Sequence, residues 1–207
     1  MATGSGAARQ ELFKAITEET NTGLDGGCFE AEAKRGLVEV GEDAVWSLSS
    51  AKPGFGVTQL RDNNVETYWQ SDGGQPHTIT MQWQRRRCVE QISFYVNYTM
   101  DESYTPHTLS IRVGTTFHDL REIKVIELEG EPSGWINVPL LDETTHRCPR
   151  THLLQLVVVA NYQNGRDTHI RQVKVFGPQR EYRTSEEQAL FHSEWNSTEF
   201  HMWSVLR

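Results

Sequence analysis

No stretch of this 207-residue chain is apolar for long enough to span a bilayer, and its N-terminus, MATGSGAARQELFK, lacks the apolar run of a secretory signal. Cysteine is scarce and odd in number. Cys28, Cys88 and Cys148 stand far apart with no CxxC pair, whereas an exported domain more often carries an even framework. Positive charge is also short: 20 Lys and Arg face 28 Asp and Glu, a net charge of −8. That balance argues against sequence-independent phosphate binding, which needs a basic face. The expected compartment is therefore the cytosol or nucleus, and the sequons Asn97-Tyr98-Thr99 and Asn196-Ser197-Thr198 are read as chance. Signatures of catalysis are missing too. There is no GxSxG, HExxH, P-loop or GxGxxG. His146, Cys148 and His152 lack the spacing of a zinc site, and no carboxylate pair stands out among many. The reading expects no catalytic residue, no metal and no cofactor.

What is present is alternation. Residues 1–36 are rich in Gly, Ala and Glu and are expected to form a flexible leader, with room for a short helix from Glu11 to Glu18 carrying Leu12, Phe13 and Ile16 on one side. From Leu37 the texture changes. His77 to Trp83 alternates polar and apolar residues, and Gln91 to Asn97 does so with Ile92, Phe94 and Val96 on one face. Leu109, Ile111 and Val113 continue the pattern, followed by Ile123 and Val125, then Ile136, Val138 and Leu140, and finally Val173 and Val175. Leu153 to Ala160 is apolar on both faces, as a central strand would be. Period-two segments broken by Gly, Pro, Asn and Asp predict an all-β antiparallel sandwich over residues 37–178. After Pro178 the alternation stops. Ser185-Glu-Glu-Gln188 has the form of a capping box, and the apolar end from Phe200 to Arg207 is expected to pack back or dock elsewhere, so residues 179–207 are read as an extension with a docking tail.

Strands of a sandwich are committed to its core, so function is expected in loops at one end. Three mix amides, carboxylates, hydroxyls and rings: Asp62 to Asp72, Thr99 to Pro106, and Asn161 to His169. Such a surface suits an extended polar ligand. Trp69 is read first as a core anchor, which puts Tyr68 and Gln70 on the opposite face. Asn164-Gly165 is first a turn signal, Arg166 and Asp167 are read as braces of their loop, and Asp101 and Glu102 as solvated. Pro106 is expected to start the next strand.

Several blocks carry a resemblance. They are Ala44-Val-Trp-Ser-Leu-Ser-Ser50, Lys52-Pro-Gly-Phe-Gly-Val57, Gln59-Leu-Arg-Asp62, Glu66-Thr-Tyr-Trp-Gln-Ser-Asp-Gly73, Gln75-Pro-His77, Asp101-Glu-Ser-Tyr-Thr-Pro106, Pro132-Ser-Gly-Trp135 and Asn164-Gly-Arg-Asp-Thr-His169. Through them residues 37–178 resemble the Doc-domain family of the anaphase-promoting complex (cyclosome), and more weakly the galactose-binding-like sandwiches. The resemblance implies a jelly-roll β-sandwich without an active site of its own. It would act as a substrate co-receptor in a ubiquitin ligase, holding the destruction-box degron together with an activator subunit. Carried over by position, the ligand face comprises Tyr68, Ser103, Asn161, Asn164, Gly165, Arg166, Asp167 and His169. Ser103 and Asn164 are the expected direct contacts, and Tyr68 a flat packing surface. Family members typically end in Ile-Arg, which docks on a tetratricopeptide-repeat scaffold subunit. Leu206-Arg207 stands at that place here, and the implied partners include that subunit, a cullin-like subunit, the activator and degron-bearing substrates. Nucleic acid and membrane are not among the expected partners.

Rival readings are a carbohydrate-binding sandwich, a hydrolase on a sandwich scaffold, and a Doc domain belonging to a different ligase. The first needs exposed aromatic platforms, and the second rests only on abundant carboxylates.

Overall fold

The computed structural model of the chain describes residues 32–33, 35–142, 145 and 147–179. The helix expected over residues 11–18, the capping box at Ser185 and the terminal Leu206-Arg207 lie outside the described residues. In chain order the strands are β1 (Leu37–Glu39), β2 (Val45–Leu48), β3 (Trp69–Gln70), β4 (His77–Cys88), β5 (Gln91–Asn97), β6 (Pro106–Gly114), β7 (Arg121–Glu127), β8 (Ser133–Pro139), β9 (Arg150–Asn161), β10 (His169–Ile170) and β11 (Gln172–Pro178). Two short helices, α1 (Val57–Arg61) and α2 (Tyr98–Asp101), sit between them. A five-stranded sheet runs β2-β4-β9-β6-β7, a four-stranded sheet runs β1-β11-β5-β8, and β10 pairs with β3. Every pairing is antiparallel. The non-consecutive neighbours are the crossovers of a jelly-roll sandwich.

Alternation fills the space between the sheets. Ile79, Met81 and Trp83 of β4, Leu109 and Ile111 of β6, and Leu154, Leu156 and Val158 of β9 face inward from one layer. Ile92, Phe94 and Val96 of β5, Ile136 and Val138 of β8, and Val173 and Val175 of β11 meet them from the other. Side chains two residues apart share a face, so each strand delivers its apolar set to one core. Strand β9 lies between β4 and β6, and its reverse-face residues Leu153 and Val157 are buried too. That explains its doubly apolar sequence.

Strand β7 departs from the expected pattern. Ile123 and Val125 are 41% and 50% exposed, while Ile126 is 2% exposed and faces Leu109 in the core. A register shift between Ile111 and Arg112 on β6 breaks the pairing opposite this strand. As an edge strand, β7 buries little more than its inner face.

Buried indoles need an acceptor: Trp83 and Trp69 each find a backbone carbonyl, and so does the half-buried Trp46. Trp83 Nε1 donates to Val40 O at 2.7 Å, Trp69 Nε1 to Ser50 O at 2.9 Å and Trp46 Nε1 to Gly41 O at 2.8 Å. Trp69 is fully buried. It pins the loop 62–72 to the core from below. At the other end of the sandwich, Cys88 and Cys148 are disulfide-bonded, with Cα atoms 5.7 Å apart. The scattered cysteines are therefore partly paired. His152 Nδ1 lies 3.2 Å from Trp83 O, so Cys148 and His152 have separate partners.

Candidate functional site

Antiparallel strands place loops at the ends of the sandwich, and the register decides which loops meet. His77 opens β4 opposite Val158, and Pro106 opens β6 opposite Asn161, the last residue of β9. Loops 98–105 and 162–168 therefore emerge side by side. The β3–β10 pair, with His169 opposite Gln70 and Ile170 opposite Trp69, brings loop 62–72 to the same end.

A buried ion pair joins all three loops. Asp101, the last residue of α2, is 4% exposed and receives two bonds from Arg171, from Nε to Oδ2 at 2.9 Å and from Nη2 to Oδ1 at 2.8 Å. His169 Nδ1 lies 3.1 Å from Oδ1, which fixes that nitrogen as the proton donor. Arg171 Nη1 also donates to Val65 O at 2.8 Å in the first loop. Burial works against the charged Asp101, but the hydrogen bond from His169 and the pair with Arg171 outweigh it and hold its pKa below the ordinary aspartate value. The expectation that Asp101 is solvated is thus corrected. The buried Arg171 cation requires a buried counter-ion, and Asp101 supplies it. Glu102 is exposed, as expected.

A column of rings crosses the same loops. Phe55 stacks on Tyr68 at 5.0 Å, Tyr68 on His169 at 4.3 Å, and His169 on Tyr104 at 4.3 Å. The Arg171 guanidinium lies 5.6 Å from the Tyr68 centroid. The Tyr68 ring is thus engaged by Phe55 and His169, which leaves mainly its edge and hydroxyl for a ligand rather than a flat platform.

Behind the third loop stands the turn 71–77. Thr168 N donates to Ser71 Oγ at 2.8 Å, and Ser71 N to Thr168 O at 3.1 Å. Gln75 Nε2 donates to Gly165 O at 2.8 Å, Arg166 Nε to Gly73 O at 3.0 Å, and His77 Nε2 lies 2.7 Å from Arg166 O. The loop is laced along both sides and does not depend on its own turn alone.

These bonds sort the eight expected ligand residues. Asn164 and Arg166 are exposed, and Ser103 is half-buried at the rim. Asn164 has φ 58°, a left-handed conformation that Asn tolerates better than most residues. Asn161 is 5% exposed and spends Nδ2 on Gly165 O and Asp167 O, at 3.1 and 2.7 Å. His169 is 8% exposed. Both of these expected ligand residues are buried beneath the loop surface in the free chain. Asp167 is held by Lys52 at 3.3 Å. Gly165 is required by contact: a Cβ there would overlap the Ser103 carbonyl oxygen and lie 2.7 Å from its carbon. Phe55, Ser71, Gln75, His77, Asp101, Tyr104 and Arg171 were not singled out as site residues from the sequence. One signal was available for two of them. An Arg two residues from a His, just before the alternating strand Gln172–Pro178, calls for a nearby carboxylate.

A family profile described as "Anaphase-promoting complex, subunit 10" matches residues 20–204. The protein named "Anaphase-promoting complex subunit 10" of Homo sapiens is 58% identical over 141 residues, covering 68% of this chain and 75% of that one. Its namesake in Dictyostelium discoideum is 46% identical over 196 residues, covering 95% of this chain and all of that one. The chain belongs to the anaphase-promoting complex subunit 10 family. Among solved structures, the family 32 CBM from C. perfringens NanJ in complex with galactose superposes with a TM-score of 0.56 at 12% identity, covering 68% of this chain and 98% of that one. The CBM32-1 and CBM32-2 domains of C. perfringens ZmpB give 0.58 at 11% identity, covering 75% and 40%. At that identity the likeness shows the galactose-binding-like sandwich fold alone. The subunit 10 relatives match at the level of sequence, and the three loops and their lacing fall within the residues the family profile covers.

Proposed function

We propose that this chain is a non-catalytic subunit of the anaphase-promoting complex, acting in the cell cycle, and that its loop surface holds the destruction-box degron jointly with an activator subunit. Family membership supports the first part. The observation that carries the second is the convergence of three loops, tied by the Asp101–Arg171–His169 cluster, on a rim where Ser103, Asn164 and Arg166 remain reachable. A hydroxyl, an amide and a guanidinium on a rigid frame suit a short polar peptide segment. So small a set of contacts gives weak affinity alone, because association carries a large entropic cost. Shared with a second receptor, the same contacts act at high effective concentration and chiefly slow release. Longer residence means more ubiquitin added per encounter. The other partners in this reading are a tetratricopeptide-repeat scaffold subunit reached through Leu206-Arg207 and the cullin-like subunit, in nucleus and cytoplasm.

The test is ubiquitination by the reconstituted ligase carrying wild-type chain or Ser103→Ala with Asn164→Ala. The double variant should assemble normally, shorten substrate residence and reduce the ubiquitins added per encounter by several-fold. Unchanged chain length and residence would sink the degron reading while leaving family membership intact. The isolated wild-type chain should show little measurable degron binding.

A further inference from the structure

At the end of the sandwich away from the ligand loops, the chain passes from one sheet to the other through Cys88, Val89 and Glu90. This corner is held on three sides. Val89 N donates to Pro149 O at 3.1 Å, Glu90 N to Phe176 O at 2.9 Å, and Leu140 N to Glu90 O at 2.8 Å. Gly177 lies so close that a Cβ there would overlap the Cys88 carbonyl oxygen. Cys148 stands across from it in the connection between β8 and β9. Its Cα is 5.7 Å from that of Cys88, within the range a disulfide spans without backbone movement.

The surroundings bear on reactivity. Both cysteines are half-exposed. Arg85, Arg86 and Arg87 precede Cys88, Arg147 precedes Cys148, and Arg150 pairs with Cys88 in the strand register. Arg87 is engaged by Asp43 at 2.7 Å, and Arg85, Arg86, Arg147 and Arg150 are exposed. In a chain of net charge −8, sequence and register thus set five arginines beside the two cysteines. Cations favour the thiolate, the attacking species in exchange, and they draw in anionic thiol reagents such as glutathione.

We infer that Cys88 and Cys148 form a reversible modification site, a dithiol–disulfide pair that exchanges with glutathione-class disulfides and fastens the β8–β9 connection to the corner between the sheets. The chemistry balances in two steps. One cysteine thiolate attacks a sulfur of glutathione disulfide, forming a mixed disulfide and expelling one glutathione thiolate. The second cysteine thiolate attacks the protein sulfur of that mixed disulfide, forming the Cys88–Cys148 bond and expelling the second glutathione. The two protons lost by the cysteines end on the two glutathiones, and two electrons pass from protein to glutathione. The inference does not depend on the degron reading, because the pair sits at the opposite end of the strands.

The experiment equilibrates the full chain in glutathione buffers from fully reduced to fully oxidised, blocks free thiols, and maps disulfides by mass spectrometry, with thermal melts on the same samples. Wild type and Cys28→Ser should both give a Cys88–Cys148 peptide as the oxidised fraction rises, with a melting midpoint about 5–10 °C above the reduced form. Cys88→Ser and Cys148→Ser should each lose that shift and trap glutathione on the remaining cysteine of the pair. Free thiols at both positions in excess glutathione disulfide would overturn the inference. So would pairing that requires Cys28, or a bridge that leaves the midpoint unchanged.

Discussion

Replacing Asp101 by Asn keeps the side-chain shape and removes the charge, which leaves the Arg171 guanidinium, itself 3% exposed, without its counter-ion. Removing one partner of a buried pair typically costs about 3–5 kcal/mol, more than the pair itself contributes, because an uncompensated charge stays behind. The variant should therefore unfold at clearly lower denaturant than wild type at pH 7. The pH dependence carries the sign. The folded-state pKa of Asp101 is depressed, so its contribution is present above the unfolded value near 4 and disappears as pH falls through the folded value. Wild type should lose that contribution in acid, and Asp101→Asn should show a flatter acid limb in denaturation series between pH 7 and 3. Parallel limbs would mean that the carboxylate is not the group that matters. Trp69 is a separate case at the same scale. It is fully buried with its N–H on Ser50 O, and truncation to Ala should cost about 3–5 kcal/mol by denaturant titration.

Among the loops, close approach of backbones matters more than any single side chain. Gly165 meets the carbonyl of Ser103 where no Cβ fits, so Gly165→Ala must push loop 162–168 away from loop 98–105. The strands beneath are laced independently, with His77 opposite Val158 and Pro106 opposite Asn161. Hydrogen exchange should therefore quicken in these two loops and the turn 71–77, while β4, β6 and β9 keep their protection. Uniformly faster exchange would show that the loops and the sandwich are not separable. The same level shows how much the sequence conveys. Strands with one committed face, such as β5 with Ile92, Phe94 and Val96, are legible because period two maps onto a single core. Strand β7 is not, since Ile123 and Val125 alternate as a core strand would yet sit on the exposed face of a sheet edge. Which loops gather was legible from composition and resemblance. Which of their residues are buried was not: His169 and Arg171 meet Asp101 across 68 and 70 positions of chain, which no local pattern encodes.

At the scale of the whole molecule, the two ends of the sandwich carry different chemistry. One end presents a laced rim of polar loops, the other a cysteine pair among arginines, and the strands between are occupied by the core. Strands so committed cannot relay much from end to end by repacking, since close-packed interiors resist small changes. Holding a ligand and holding a place in a large assembly should then be separable by mutation. A pull-down from cell extract with the full chain, the Ser103→Ala/Asn164→Ala variant and a form lacking Leu206-Arg207 tests this. The loop variant should recover tetratricopeptide-repeat and cullin-like ligase subunits at wild-type levels, because its changes lie at the loop rim, Asn164 exposed and Ser103 half-buried. The truncated form should recover several-fold less of the tetratricopeptide-repeat subunit, since it loses an apolar side chain and a guanidinium together. If truncation changes nothing, docking belongs to the sandwich surface, and the exposed face of β7 with Ile123 and Val125 becomes the first place to mutate. If the loop variant also loses the ligase subunits, the rim takes part in assembly, and its effect on ubiquitin chain length could no longer be assigned to the degron.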